Sequence, residues 1–524
     1  MGALTLKPFS DELREWEFIE GEGIDPTDSF GVNLRLSIRE NQIFLSEPND
    51  IDIPWLTDKG RLFFDGMFQE VSLSKGTDWF FFFKEIGNLI YFMDHLNFQK
   101  KNALSLIIAF ENVSLETLSM LYILKQNCSF VELRKIENYK HLNNDLESNY
   151  QLAFSSKSPK LQMSSLGVLL NTNPRYEGYV LNLSLRQRFL KGDFKLFNIG
   201  SMLDLTFPVH NLGSNFKTLV SIAEGTNLVC QDLKNSEFPL FITNTEIFRR
   251  TDSKVFFEVL KYANVLEITW NGCNVLNHNI SNVGIQSLNK FLPLSSEDLG
   301  NFFGLYCINL SLDSIANMKK LTELHLLNVF SNFSLKNKTF VDQNVKSTNQ
   351  SFYENLKGDV FKDYYYLPSN LFLEDNETYI NTEGLIKKTT KLLHFKKEAK
   401  TNWQIIRRLY AVSNSVLFFN NKKNHKLVNF DCINSFNFKN YISFQFYATQ
   451  SLTSLTFYLN KQNFPIIEAK IISIKSTKTK VIDTKLKNWL DDFFNNDGKD
   501  QFSYNSSVLR NCSKIAKLSN TNFF

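Results

Sequence analysis

The chain has 524 residues, 43% of them hydrophobic and 21% charged, and Lys+Arg 58 against Asp+Glu 54 leave a formal net charge of +4. That length suits roughly three or four domains and excludes wholesale disorder, and the charge is too small on so long a chain for a dedicated nucleic-acid binder. The six cysteines (Cys128, Cys230, Cys273, Cys307, Cys432 and Cys512) and the seven histidines are scattered, which excludes a C-x-x-C cluster or zinc pattern, an H-x-x-x-H pair and a secreted disulfide framework.

Residues 1–28 show no apolar period and read as an extended lead-in, with Gly21-Glu22-Gly23 a flexible turn inside it. Asp11, Glu12, Glu15, Glu17, Glu20, Glu22, Asp25 and Asp28 make the stretch acidic, unlike an Arg-rich transit peptide. Residues 29–70 read as a small β region. In it Val32, Leu34, Leu36 and Ile38 alternate with Asn33, Arg35, Ser37 and Arg39, the period of a half-buried strand. Glu40-Asn41 makes a turn and Ile43–Leu45 begins the returning strand.

Residues 71–410 alternate helix with apolar strand. Trp79–Met93 is interrupted by Lys84 and Glu85, so it reads as a buried helix; a membrane span needs about 20 nearly continuous apolar residues. Asn102–Phe110 ends in a continuous apolar run suited to a strand buried on both faces. Val113–Lys125 has helical spacing, with Leu115, Leu118, Leu121 and Leu124 on one stripe and Glu116 and Ser119 off it. Phe194–Ile199, Leu219–Ile222, Leu240–Ile242 and Val265–Thr269 read as further strands. The alternation predicts an α/β fold with a mainly parallel sheet. From 411 to 524 the pattern changes. Ser443–Tyr447 and Leu452–Leu459 alternate, and the Lys-studded run Lys470–Lys487 follows, which predicts a divergent, β-rich C-terminal lobe. Phe is used 50 times against Pro 11, an A/T-rich codon bias that suits an organellar gene.

Candidate chemistry is sparse. No G-x-G-x-x-G or G-x-x-x-x-G-K-[ST] loop occurs. Leu212-Gly213-Ser214-Asn215 reads as a plain strand–helix turn. Cys273, with His278 five positions on, reads as a buried structural cysteine rather than a nucleophile. The basic run Lys387–Lys400 reads as a solvated face anchored by Leu392, Leu393 and Phe395. Asp28, Asp58 and Asp65 have no sequence reason to pair, so no acid–base role is assigned to them. The residues alone lead to a large multi-domain α/β protein without a visible active site.

Several blocks, in order, resemble one family. They are Gly2–Phe9 (GALTLKPF) with Arg14–Glu17 (REWE), Ile24–Arg35, Trp55–Gly66 (WLTDKGRLFFDG), Asn173–Asn182 (NPRYEGYVLN), Trp270–Leu276 (WNGCNVL), Leu367-Pro368 with Tyr379–Gly384 (YINTEG), and Trp403–Leu409 (WQIIRRL). Together they are similar to the large, 75-kilodalton iron–sulfur subunit of respiratory complex I (NADH:ubiquinone oxidoreductase). Residues past 410 match nothing in that family.

The resemblance implies a multi-domain molybdopterin oxidoreductase-like fold at 71–410, following the small N-terminal β region. It begins two residues after the family's last cysteine ligand, so the expectation is a split subunit whose cluster-bearing half is another polypeptide, with residues 1–28 docking onto it. Thiolates are the cluster ligands, so the resemblance implies no cofactor, no metal and no catalytic residue in this chain, and iron–sulfur clusters in the partner half. The implied partners are that half and other peripheral-arm complex I subunits, including the NADH-binding ones. Neither a nucleic-acid partner nor a membrane span is expected, and the implied place is the matrix side of the mitochondrial inner membrane. The implied function is structural support of electron transfer from NADH to ubiquinone. The alternative is a degenerate molybdopterin oxidoreductase that still binds a pterin, with Asn173, Arg175, Asn381, Thr382 and Glu383 as pocket candidates.

Overall fold

The computed structural model describes residues 14–49, 55–68, 79–87, 105–135, 160–250, 272–287, 292–294, 302–309, 327–331, 363–370, 372–394, 399–421, 502, 506–509 and 511, without 81, 85, 129, 246, 248, 249 and 368. Four sheets organise them.

The first sheet is antiparallel, with β1 (Ile19–Ile24), β2 (Asn33–Arg39) and β3 (Gln42–Pro48) in that order. The expected hairpin is β2–β3. Its turn residues Glu40 and Asn41 both have positive φ, 49° and 66°, the twist that closes a two-residue hairpin. Leu34, Leu36, Ile38 and Ile43 turn inward and pack on Phe63, Phe64 and Met67 of α1 (Asp58–Phe68). The predicted lead-in is corrected here, because β1 pairs along β2 from Ile19 against Ile38 to Ile24 against Asn33. Gly21-Glu22-Gly23 is therefore strand, not a flexible turn. Both glycines stand at inward positions that leucine side chains already crowd. A Cβ on Gly21 would lie 2.3 Å from Leu392 Cδ2, and one on Gly23 would lie 2.9 Å from Leu36 Cδ1. Glycine hides a strand from hydrophobic periodicity because the neighbours' apolar groups fill its place.

The second sheet has the order β11-β5-β4-β12-β13-β14: β4 (Ser105–Phe110), β5 (Val131–Lys135), β11 (Leu292–Pro293), β12 (Phe302–Ile308), β13 (Leu327–Ser331) and β14 (Asp363–Leu367). All its pairings are parallel. β4 lies between two neighbours and is buried along its whole length, which explains its unbroken apolar run. It leads into α2 (Leu115–Asn127), capped by Ser114, whose hydroxyl accepts from Thr117 N. The Leu115, Leu118, Leu121 and Leu124 stripe is buried. Across it lies α8 (Asn402–Asn421), which buries Trp403, Ile405, Ile406 and Leu409 in the same core, and Cys128 Sγ meets Ser413 Oγ at 3.0 Å. A boundary at 410 falls inside this helix. Residues 79, 80, 82–84, 86 and 87 are helical as expected, with Phe82, Phe83 and Ile86 buried.

The third sheet, order β10-β9-β6-β7-β8, is also parallel. It contains β6 (Leu166–Leu170), β7 (Lys195–Ile199), β8 (His210–Gly213), β9 (Pro239–Asn244) and β10 (Cys273–Leu276). Between its strands run α3 (Pro174–Glu177), α4 (Tyr179–Leu190), α5 (Thr218–Ala223) and α6 (Val229–Asn235), and α7 (Asn282–Ser287) follows β10. Leu219–Ile222, expected as a strand, lies in α5. Its apolar residues are too few to separate the two periods, and Leu219 and Ile222, three apart, form the buried helical pair. The fourth sheet is the small hairpin of β15 (Thr378–Ile380) and β16 (Ile386–Lys388). The expected strands at 265–269, 443–447 and 452–459 and the run 470–487 lie outside the described residues.

Candidate functional site

Each large parallel sheet reverses its winding once. In the second sheet the chain passes from β4 to β5 on one side, then returns as β12 on the other side of β4. In the third it passes from β6 through β7 to β8, then returns as β9 on the other side of β6. The crevice outside the carboxyl ends of two such strands is where open α/β sheets take ligands.

An asparagine amide bridges both crevices here. Beyond β4 and β12, Asn309 Nδ2 donates to the carbonyl of Asn112 at 2.8 Å, and Asn402 Nδ2 lies 3.5 Å from Asn309 Oδ1. Beyond β6 and β9, Asn244 Nδ2 donates to the carbonyl of Asn171 at 2.8 Å and to Glu177 Oε1 at 3.1 Å. Asn112, Asn171 and Asn309 have φ of 45°, 53° and 53°. Asparagine tolerates this left-handed turn better than most side chains, so the chain leaves each strand sharply and its carbonyl faces the crevice bridge.

The five pocket candidates fall into two groups. Asn173 stands at the N-cap position of α3 without a side-chain capping bond, is buried, and its N–H donates to Glu177 Oε2 at 3.2 Å. Arg175 is tied to Asp204, with 2.6 Å from Nη1 to Oδ2. Asn381, Thr382 and Glu383 form the turn between β15 and β16. Asn381 Oδ1 accepts from the N–H groups of Glu383 and Leu385 at 3.0 and 2.8 Å, and its Nδ2 donates to the Phe30 carbonyl at 2.9 Å. Thr382 N donates to the Ser29 carbonyl at 2.9 Å. Phe30 links the groups: its carbonyl holds Asn381, and its ring edge packs at Gly178, where an added Cβ would lie 2.8 Å away.

The residues missed at the sequence level are buried acids. Asp25 and Asp28 sit in one loop with almost no exposure. Asp25 Oδ1 accepts from Thr27 N and Oγ1, and Asp28 Oδ1 accepts from Phe30 N and Gly31 N. Burial, with Asp25 adding repulsion, pushes Asp28 up to about 7. The readable signal was the Asp-x-Thr and Asp-x-Phe-Gly spacing of side chain-to-backbone turns. Asp65 accepts from Ser506 Oγ at 2.6 Å. Glu116, off the leucine stripe, is nevertheless buried and accepts from Thr378. Cys273 is buried in β10, and burial raises its thiol to about 12. Cys307 is raised further by the same cause. Leu392 and Leu393 anchor the basic run by packing on the first sheet; Phe395 lies outside the described residues.

The profile of the family described as molybdopterin oxidoreductase matches residues 90–412, more than half of the chain. The chain belongs to the molybdopterin oxidoreductase family. As such it is also similar to three curated proteins. The NADH-ubiquinone oxidoreductase 75 kDa subunit of Reclinomonas americana is 26% identical over 448 residues, covering 80% of this chain and 60% of that protein. The mitochondrial NADH dehydrogenase [ubiquinone] iron-sulfur protein 1 of Solanum tuberosum is 27% identical over 425 residues, covering 79% and 54%. The mitochondrial NADH-ubiquinone oxidoreductase 78 kDa subunit of Candida albicans is 26% identical over 438 residues, covering 80% and 56%. The chain thus spans a little over half the length of these relatives.

The family name implies a pterin cofactor, and the bridging groups described above do not suit one. A pterin phosphate is an anion and needs cations or free N–H donors. The groups that form the two bridges are asparagine amides and the Glu177 carboxylate, and nearby Arg175 is paired with Asp204. No group of three or more His, Cys, Asp or Glu side chains that could hold a metal occurs among the described residues.

Proposed function

We propose that this chain is a non-catalytic structural part of the large iron–sulfur subunit of mitochondrial complex I, supporting electron transfer from NADH to ubiquinone in the peripheral arm. The observation that carries the reading is the similarity, over about four-fifths of the chain, to the 75 and 78 kDa subunits of that name. The chemistry of this chain's thiols supports it. Cys128, Cys273 and Cys307 are buried and raised above the ordinary thiol range, whereas a cluster ligand must be a thiolate. The iron–sulfur clusters are then held by a separate cluster-bearing half of the subunit, which is the principal partner, beside the NADH-binding and other peripheral-arm subunits.

Residues 1–70 dock onto that half in this reading. Trp16, Ile19 and Trp55 belong to this region and are largely exposed, at 80%, 75% and 63%, so they are available to a covering partner. Cover of this kind shields clusters from solvent and tunes their potential without supplying a ligand. Among the described residues no helix is long and apolar enough to cross a membrane, in keeping with a peripheral place on the matrix side of the inner membrane. Bridged crevices support a structural role over the pterin-binding alternative.

The test is isolation of the native assembly. The chain is expected to co-migrate with a cysteine-rich polypeptide and with NADH oxidation. Migration apart from both would overturn the reading. Pterin fluorescence released on denaturation would favour the alternative.

A further inference from the structure

Lys400, the last lysine of the basic run, reaches over an aromatic ring: its Nζ stands 5.1 Å from the centre of Trp79. Trp79 stacks on Phe83, one helical turn on, with the ring centres 6.0 Å apart and the planes at 22°. The guanidinium of Arg408 in α8 lies in turn 5.7 Å from the centre of the Phe83 ring. Cation, ring, ring and cation thus form one ladder, held by cation–π attraction at both ends. An added Cβ on Gly87 would lie 3.2 Å from Val412 Cγ1 of α8, so the helical segment that carries the rings continues alongside α8.

The ladder carries positive charge that no neighbouring acid answers. Lys400, Gln404 and Arg408 recur every fourth residue, and Lys84 follows Phe83 in the chain; Lys84, Gln404 and Arg408 are exposed and Lys400 is half-buried. Among the described residues no ion pair includes Lys84, Lys400 or Arg408. Burial, and then the charge of Arg408, hold Lys400 below the ordinary lysine range, a repulsion that a bound carboxylate relieves. Phe80, next after Trp79, is 77% exposed, and buried aromatic side chains are frequent anchors of interfaces.

We propose that this ladder is a docking surface for an acidic protein segment, whose carboxylates pair with Lys400 and Arg408 while an apolar side chain packs on Phe80. The planar fork of Arg408 suits a carboxylate. Trp79 and Phe83 are already engaged with the two cations and with each other, whereas a single-strand site offers its rings to bases. The three cations are fewer than the cluster of about four to eight that holds a segment on an anionic membrane. The surface lies outside residues 1–70, so it adds a contact to the one argued above and stands without it.

Carbodiimide cross-linking of the native assembly, read by peptide mass spectrometry, tests the surface, because it joins an amine to a carboxylate in direct contact with it. Lys400 or Lys84 is expected to be joined to an Asp or Glu of a separate polypeptide. Links only within this chain, or none at either lysine, overturn the proposal. A second measurement uses the full chain and the fluorescence anisotropy of a short peptide of glutamates around one phenylalanine. Replacing both cations, Lys400→Gln with Arg408→Gln, is expected to weaken binding about tenfold. Phe80→Ser changes an exposed side chain, leaves the fold intact and is expected to weaken binding as well. Equal binding by the native chain and both variants overturns the proposal, as does a loss seen only with phosphatidylserine vesicles or single-stranded DNA.

Discussion

Ser506 donates its hydroxyl to Asp65 Oδ2 at 2.6 Å, joining residues 441 positions apart. The neighbouring Gly66 lies under the backbone of Phe502, whose carbonyl oxygen would stand 1.8 Å from an added Cβ. The far end of the chain therefore closes the apolar face of α1, where the rings of Phe63 and Phe502 meet edge to face at 6.2 Å. Gly66→Ala should force this backbone away and cost about 1–3 kcal/mol, and Ser506→Ala about 1 kcal/mol. Urea denaturation of both variants checks this; two unchanged midpoints would mean that the segment does not dock on α1.

The crevice bridge beyond β6 and β9 gives a second expectation. Asn244→Leu removes donors to Asn171 O and Glu177 Oε1 and leaves a buried carboxylate short of a partner. The expected loss is about 2–4 kcal/mol. Asn244→Asp sets a carboxylate beside Glu177 and should be worse at pH 8 than at pH 5. Equal losses for the Asp variant at the two pH values would refute the bridge geometry.

Asp28 supplies a pH dependence of its own. Its carboxyl titrates near 7 in the folded chain and near its ordinary 3.8 when unfolded. The folded state thus binds the extra proton, and stability falls as pH rises from about 4 to 7. Asp28→Asn keeps an oxygen for the Phe30 and Gly31 N–H groups and cannot ionise. The variant should gain about 2–4 kcal/mol over the native chain at pH 8, with the gap narrowing towards pH 4. Chemical denaturation at the two pH values is the measurement, and a gap independent of pH counts against burial of the Asp28 charge.

Thiol labelling gives a fourth. Cys128, Cys273 and Cys307 are buried, with thiols raised by burial, so iodoacetamide at pH 8 should leave all three unmodified in the native chain and modify them in denaturant. Peptide mass spectrometry reads each site separately. Rapid native labelling of Cys273 would reinstate it as a reactive group.

Much of the scaffold was legible because the relevant signals are local. The alternation from Val32 to Ile38, the Glu40-Asn41 turn, the apolar run ending at Phe110 and the Leu115–Leu124 stripe each follow from side-chain period within a few residues, and each recurs as the expected element. β1 escaped because its inward positions are glycines, and α5 because its apolar run was too short to show which period it followed.

The family, too, was carried by the sequence, in blocks whose order survives where any single block would mean little. The site residues were another matter. Asn381, a pocket candidate, ties its turn to the Phe30 carbonyl, and Glu116, off the leucine stripe, is buried against Thr378. Order along a chain encodes period and kinship. Burial of a carboxylate, or capture of a carbonyl by an amide 73 residues away, depends on which surfaces meet after the sheets have wound, and only the tertiary structure decides that.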